Sequence, residues 1–362
     1  MEKQGHLSDL ELGIHGYSLR GSPLLGPGEL WLSPSYWRDR RVVVTGGAGF
    51  LGTHVVERLR ALGCRHITVP RIEEYDLTEL EAVQGLYKTA RPDTVIHLAA
   101  LVDGIAANRK NPGRSFYTNM TMGVQLIEEA RKAGVEKFVQ LGTVCAYPKF
   151  TPVPFREEDL WNGYPEGTNA PYGIATKALL VQLQAYREQY GFNGVYLLPA
   201  NLYGPGDNLD PAGSHVIPAL IRRMLEVKEA GHTEVWISGT GQASREFLYV
   251  GDCARAVLLA AEHYDCAEPV NIGTGQEIKI KELATLIAEV VGFDGKIVLD
   301  PTALDGQPRF CLDTSKAVRM FGFQAHVPLR DGLSWTARWH QAQRGDLYLE
   351  EDRLVFQQVP RA

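Results

Sequence analysis

The sequence predicts an α/β protein: a Rossmann doubly wound parallel sheet with a smaller C-terminal α/β substrate domain. Three observations predict it. The run RVVVTGGAGFLG, residues 41–52, reads as a β-branched strand and a glycine turn, and THVVERLRALG continues it as an amphipathic helix. Two further apolar runs, HITVPR and DTVIHLAA, carry on the strand–helix alternation from which parallel sheets are built. A hydroxyl, a thiol and a phenol (Thr143, Cys145 and Tyr172) follow in GTVCAYPK and APYGIATK. The first two stand at the end of a predicted strand, where open α/β sheets bind ligands.

In chain order, residues 1–38 carry Gly, Pro, Ser and Leu without a period and are expected to form an irregular extension. Trp31 and Trp37 are candidates to pin it to the body. Gly46, Gly49 and Gly52 then fall in GxxGxxG spacing. The first permits a tight turn, the second lets backbone amides approach a pyrophosphate, and the third lets helix and strand pack closely. Phe50 and Leu51 sit between them at the helix start, so this stretch is the expected cofactor turn.

After the second strand, where an acidic residue serves the ribose hydroxyls of NAD, the chain has Val69, Pro70 and Arg71. A guanidinium suits a 2′-phosphate, so NADP(H) is preferred over NAD(H), with Glu73 and Glu74 weighing against it. Asp76 and Leu77 in YDLTEL are candidates to border the adenine. The third strand closes with Leu98, Ala99 and Ala100, past which a cofactor backbone can run, and its His97 reads as structural.

A helix over FYTNMTMGVQLIEEARKAG leads to KFVQLGTVCAYPK, the tyrosine helix follows, and the strand GVYLLPANLYGP closes the first half. The cofactor domain is expected over 39–200 and about 245–272, and the substrate domain over about 201–244 and 273–345. RFCLDTSKAVRMFGF and VPLRDGLSWTARWHQAQ read as closing helices, and residues 346–362 as a tail without assigned chemistry.

With 362 residues, 44% hydrophobic and 22% charged, the chain can form one large α/β domain and a smaller one. No apolar run reaches the eighteen or so residues of a membrane span, and the N-terminus has no signal-peptide pattern. A cytoplasmic location without membrane partner is expected. The five cysteines form no CxxC pair and have no zinc-type His spacing, so reduced thiols and no metal are expected. A net charge of -6 without a basic stripe argues against nucleic acid.

Taken together, TGGAGFLG, HLAA and the Tyr172 helix resemble the extended short-chain dehydrogenase/reductases. The segments LGTVCAYPK, NLYGPGDN with SHVIPALIRR, SREFLYVGD, NIGTG and DGQPR narrow the resemblance to the GDP-L-fucose synthase family. That resemblance implies an NADP-dependent enzyme acting on a GDP-4-keto-6-deoxy sugar, paired as a homodimer through two helices each. A 4-keto group acidifies the hydrogens at C3 and C5, so a base and an acid on opposite faces can invert both centres. The resemblance assigns that work to Cys145 and His215. It gives Tyr172 the proton for the C4 oxygen after hydride transfer, and Thr143 a hydrogen bond to that oxygen. It also places Arg223 and Arg245 near the GDP diphosphate, with Arg309 a further basic candidate and Asn201 and Asn208 candidates for hydrogen bonds to sugar or backbone.

Three positions depart from the family pattern. The lysine expected four residues after Tyr172 is Thr176, with Lys177 beside it. On a helix, four residues rotate by about 40° from the start and five by about 140°, so Lys177 is not expected to substitute. Ser238 stands where the family carries tryptophan, with Trp236 two residues earlier on the same strand face, and Ala303 replaces a lysine. The alternatives are therefore a related GDP-keto-sugar epimerase, including one for a heptose, with a weak or absent reductase step, and a non-catalytic NADP-binding Rossmann protein.

Overall fold

A computed structural model describes residues 32–101, 111–209, 214–302 and 307–344. The strands, in chain order, are β1 (Arg41–Thr45), β2 (His66–Thr68), β3 (Thr94–His97), β4 (Lys137–Leu141), β5 (Gly194–Pro199), β6 (Asn201–Tyr203), β7 (Glu234–Ser238), β8 (Ser244–Tyr249), β9 (Val270–Ile272), β10 (Glu277–Lys279) and β11 (Lys296–Asp300). Six of them form one all-parallel sheet in the order β2-β1-β3-β4-β5-β9. Val42, Val43 and Val44 are all buried although successive side chains point to opposite faces. Both faces of the sheet are therefore covered, as its continuous apolar strands require.

The cover comes from helices. After the short α1 (Pro34–Trp37) come α2 (Phe50–Ala61), α3 (Leu80–Ala90), α4 (Pro112–Lys132) and α5 (Ala170–Tyr190). Each of α2 to α5 connects two strands of the parallel sheet that are consecutive in the chain, the connection that parallel strands demand. Because β2 and β3 flank β1 on opposite sides, the connections diverge there and leave a crevice at the carboxyl ends of β1 and β3. The Rossmann-type α/β fold read from the sequence is the one observed.

Beyond β5 the chain builds a second set of layers. Strands β10, β8 and β6 make a three-stranded sheet, and β11 pairs with β7. Against these lie α6 (Val216–Glu229), then α7 (Val250–His263), α8 (Ile280–Val291), α9 (Ser315–Phe321) and α10 (Leu329–Arg344). Helix α6 buries Ile217, Leu220, Ile221, Met224 and Leu225, a spacing that makes one apolar stripe, and it packs with α8 and α10. Helix α7 returns to the large sheet, lies against α2 and delivers β9 beside β5.

The expected irregular extension over residues 1–38 is corrected at its end. Pro34–Trp37 is helical, Trp37 is completely buried, and its indole Nε1 donates to Glu262 Oε2 at 3.0 Å. An indole buried with its N–H satisfied anchors the segment to α7. Trp31, Ala303 and residues 346–362 lie outside the described residues. Among the described residues no helix is long and apolar enough to cross a membrane.

Candidate active site

The crevice between β1 and β3 is shaped by backbone rather than side chains. Gly46 has φ +67°, and a Cβ there would stand 2.7 Å from Ala99 N; one on Gly52 would stand 2.0 Å from Gly46 O. No larger residue fits either place, so turn, helix and third strand meet at backbone contact. Gly49 caps α2 with no side-chain hydrogen bond, leaving the first helical N–H groups to a ligand. The resulting cavity, about 490 Å³, is lined by Gly49, Phe50, Leu98, Ala100, Tyr172 and Thr176 among others, including Leu51 and Ala99. A cradle closed to Cβ atoms above an uncapped helix end fits a dinucleotide pyrophosphate.

The remaining cofactor candidates lie apart from this cavity. Arg71 is exposed just after β2, where its carbonyl accepts from Glu74 N and Tyr75 N. Asp76 accepts from the backbone and hydroxyl of Thr78, which hold its carboxyl below the usual range, and Leu77 is buried. His97 does line the cavity, but its Nδ1 is 2.7 Å from Thr45 Oγ1, and burial pushes its pKa down to about 4.

At the end of β4 the chain makes a single 3₁₀ turn, Val144–Ala146, capped by Thr143, whose Oγ1 accepts from Cys145 N at 3.2 Å. Helix α5 docks onto this turn at Gly173, where a Cβ would stand 2.6 Å from Cys145 O. Gly173 was not singled out from sequence, although it is what lets the helix approach. The contact packs helix α5, and with it Tyr172, against the turn that carries Thr143 and Cys145. Burial, then the neighbouring Cys145 and Tyr196, push the Tyr172 pKa up, while Thr143 opposes the shift. Burial and the Glu166 carboxylate likewise push the Cys145 thiol up, against the Thr143 hydrogen bond. Both groups are thus held in their protonated forms.

Helix α5 runs without a break from Ala170 to Tyr190, so the two positions after Ala175 face different surroundings. Thr176 faces the cavity and donates to Gly173 O at 3.1 Å. Lys177 turns away: its ammonium donates to Leu160 O and lies 4.2 Å from the Trp161 ring centroid.

His215 caps the N-terminus of α6, and its side chain is 62% exposed. Its Nδ1 stands 3.4 Å from Oδ1 of the buried Asp207, whose carboxylate raises the imidazole pKa. Sequence reading missed Asp207; a carboxylate eight residues before a candidate histidine was the available signal. The loop carrying it reaches the cofactor turn, since a Cβ on Gly206 would lie 3.6 Å from Phe50, and His54 Nε2 is 2.9 Å from Pro205 O.

The substrate candidates gather around the smaller sheets. Arg223 donates to Trp236 O, and Trp236 shares its strand face with Ser238, alternating with buried Val235 and Ile237. Arg245 donates to Ser244 O and Gln307 O, and Arg309 is ion-paired with Glu277. The Asn201 amide donates to Glu246 O, and Asn208 N donates to Asp207 Oδ1. Two motifs have a structural explanation: the fully buried Glu246 of SREF accepts from the amides of Thr274, Gly275 and Leu312, and so ties down the NIGTG turn.

The family described as "NAD dependent epimerase/dehydratase family" matches residues 42–273, from β1 through the turn after β9. The chain belongs to that family. Among its curated relatives, "Probable GDP-L-fucose synthase 1" of Oryza sativa subsp. japonica is 42% identical over 301 residues, covering 83% of this chain and 92% of the relative. "GDP-L-fucose synthase" of Escherichia coli (strain K12) is 37% identical over 309 residues, covering 83% and 96%. Among solved structures, a GDP-L-fucose synthetase from Naegleria fowleri bound to NADP superposes with a TM-score of 0.78 at 25% identity, covering 89% of this chain and 99% of that one. A GDP-6-OMe-4-keto-L-xylo-heptose reductase from C. jejuni gives 0.79 at 27% identity, covering 84% and 99%. The resemblance read from the motifs is borne out: this epimerase-family chain is an enzyme with a nicotinamide cofactor.

Proposed function

We propose that this chain is an NADP-dependent GDP-4-keto-6-deoxy-sugar 3,5-epimerase and 4-reductase of the GDP-L-fucose synthase type. The observation that carries the reading is the packing of helix α5 on the Thr143–Cys145 turn, with Tyr172 of that helix lining the dinucleotide crevice. Relatives at 37–42% identity carry that name over nearly their whole length. Gly46, Gly49 and Gly52 hold the pyrophosphate and Arg71 meets the 2′-phosphate; when bound, the nicotinamide supplies hydride to C4. Thr143 orients the C4 oxygen and Tyr172 gives it a proton. A phenol held protonated suits that donation. Cys145, once its thiol has given up its own proton, takes the protons from C3 and C5, and His215 returns protons there, with Asp207 orienting the imidazole. Arg223, Arg245 and Arg309 surround the GDP moiety with Trp236, Asn201 and Asn208.

On this reading the cofactor domain comprises 39–200 and about 245–272, with the substrate domain over about 201–244 and 273–345. Pairing into a homodimer uses α4 and α5, which leave Tyr117, Val124 and Val181 exposed on one packed helix pair. Free cysteines suit a cytoplasmic location.

The test is incubation with GDP-4-keto-6-deoxy-D-mannose and NADPH in D₂O. Deuterium at C3 and C5 with equimolar NADPH oxidation is expected. Deuterium without oxidation supports the second reading, an epimerase with a crippled reductive step, which Thr176 favours. No reaction by either probe rejects both.

A further inference from the structure

The turn that carries Cys145 is tied at its far end to β9, 124 residues further along the chain. Tyr147 follows the 3₁₀ turn Val144–Ala146 directly, and its backbone N–H donates to Val144 O at 3.1 Å. Its ring packs on Phe155 with centroids 5.2 Å apart, and the residue is buried. Its hydroxyl donates to Asn271 Oδ1 at 2.7 Å. A phenylalanine would pack the same ring, so what the hydroxyl adds is that bond.

Asn271 is a junction. It is completely buried on β9, the edge strand of the large sheet. Its Nδ2 donates to Phe155 O at 2.9 Å and to Asp313 O at 3.1 Å, and its backbone N–H donates to Glu157 Oε1 at 2.9 Å. Both polar atoms of its side chain are therefore engaged. Phe155 runs beside Leu312: its N–H donates to Cys311 O at 2.8 Å, and Asp313 N donates to Phe155 O at 2.9 Å. Leu312 N donates to Glu246 Oε2, next to Arg245 in the chain, and Arg309 lies two residues before Cys311. One asparagine thus joins the Cys145 turn to the segment that leads from Arg309.

We propose that Tyr147 and Asn271 are positioning residues for Cys145: their hydrogen bond sets where the thiol-bearing turn stands relative to segment 309–313. The proposal rests on the function proposed above only for the reaction Cys145 performs; the bond and the placement of the turn do not depend on it. The turn is held at its start by Thr143 Oγ1, which accepts from Cys145 N, and along its side by α5, where Gly173 packs on Cys145 O. Tyr147 holds its end. A base must come within hydrogen-bond reach of the hydrogen it takes, and a misplacement of about 1 Å costs on the order of a hundredfold in rate. Losing the tie at Tyr147 weakens proton abstraction without removing any group that binds cofactor or sugar nucleotide.

The test uses the full chain with Tyr147→Phe, Asn271→Ala and the two combined, and Tyr87→Phe as control. Tyr87 is a buried phenol that donates to Leu126 O at 2.8 Å, so its variant loses an equivalent bond away from the turn. In the ligand-free protein, iodoacetamide alkylation of each cysteine is followed by peptide mass spectrometry, with the fully buried Cys253 reporting general opening. Tyr147→Phe is expected to speed alkylation of Cys145 about fivefold and leave Cys253 unchanged, and Tyr87→Phe to change neither. The combined variant goes no further than the larger single effect, because both changes remove one shared bond. With GDP-4-keto-6-deoxy-D-mannose in D₂O, kcat for deuterium uptake by Tyr147→Phe falls about tenfold while KM and NADPH binding stay as in the starting protein. The positioning role is overturned if Cys145 alkylation in Tyr147→Phe matches that in Tyr87→Phe, if the two single effects multiply, or if deuterium uptake is unchanged. Should Asn271→Ala fail to fold, Tyr147→Phe against Tyr87→Phe decides alone. A starting protein that takes up no deuterium refutes Cys145 as the base, while the alkylation rates still decide the tie.

Discussion

Asp207 Oδ1 stands 3.4 Å from His215 Nδ1, a buried carboxylate against an exposed imidazole. The carboxylate raises the imidazole pKa, so the protonated form persists to higher pH than in a free histidine. Asp207→Asn removes that charge while keeping the shape. If His215 returns protons at the sugar ring, the limb of the pH profile on which solvent deuterium exchange falls with rising pH should move to lower pH. Exchange at pH 7 should drop on the order of tenfold, within the range general acids contribute. An unmoved limb would mean that Asp207 only supports the loop.

Cys145 and Tyr172 stand on two elements packed together, the Thr143-capped turn and helix α5, but are assigned different steps, so their variants should fail differently. Cys145→Ser is expected to cut deuterium incorporation at C3 and C5 by 10² or more, with NADPH binding unchanged. Tyr172→Phe is expected to cut NADPH oxidation by a similar factor and leave the exchange. Equal loss of both signals in both variants would show that the cluster works as one unit.

The dinucleotide crevice was legible because its cause is local. Gly46 and Gly52 are needed where backbone meets backbone, and that demand is written in a short contiguous motif. Thr176 facing the cavity and Lys177 turning away followed from helix geometry alone. Gly173 was not legible, since it matters through the turn after β4, an element distant in sequence, whereas Asp207 stands only eight residues before His215 and was overlooked. Trp37 was legible as a candidate pin, but its partner Glu262 was not, since it lies 225 residues away. The arginines proposed for the substrate stay hardest to read, because Arg223, Arg245 and Arg309 all have protein partners of their own.

Arg71 lies outside the cavity lining and exposed, so its contribution should be confined to the 2′-phosphate. Arg71→Ala is expected to raise the Kd for NADPH about tenfold and leave that for NADH unchanged, measured by titration of both cofactors. Equal effects on the two would assign the preference elsewhere.

His97 provides a test of the fold that needs no substrate. It is fully buried, bonded to Thr45, and its pKa is depressed from 6.5 to about 4 by burial. The unfolded chain takes up a proton near pH 6.5 that the folded chain refuses until about pH 4. Stability from this group is therefore complete above pH 6.5 and lost as pH falls toward 4, by about 3 kcal/mol over that window. His97→Gln should be less stable than the starting protein at pH 7, with a gap that narrows as pH falls between 6.5 and 5. Glu128, held down at about 2 by Arg131, loses its contribution only at lower pH and leaves that window clear. Guanidinium unfolding at four pH values would measure the gap, and a constant gap would mean that the unfolded and folded chains protonate His97 alike.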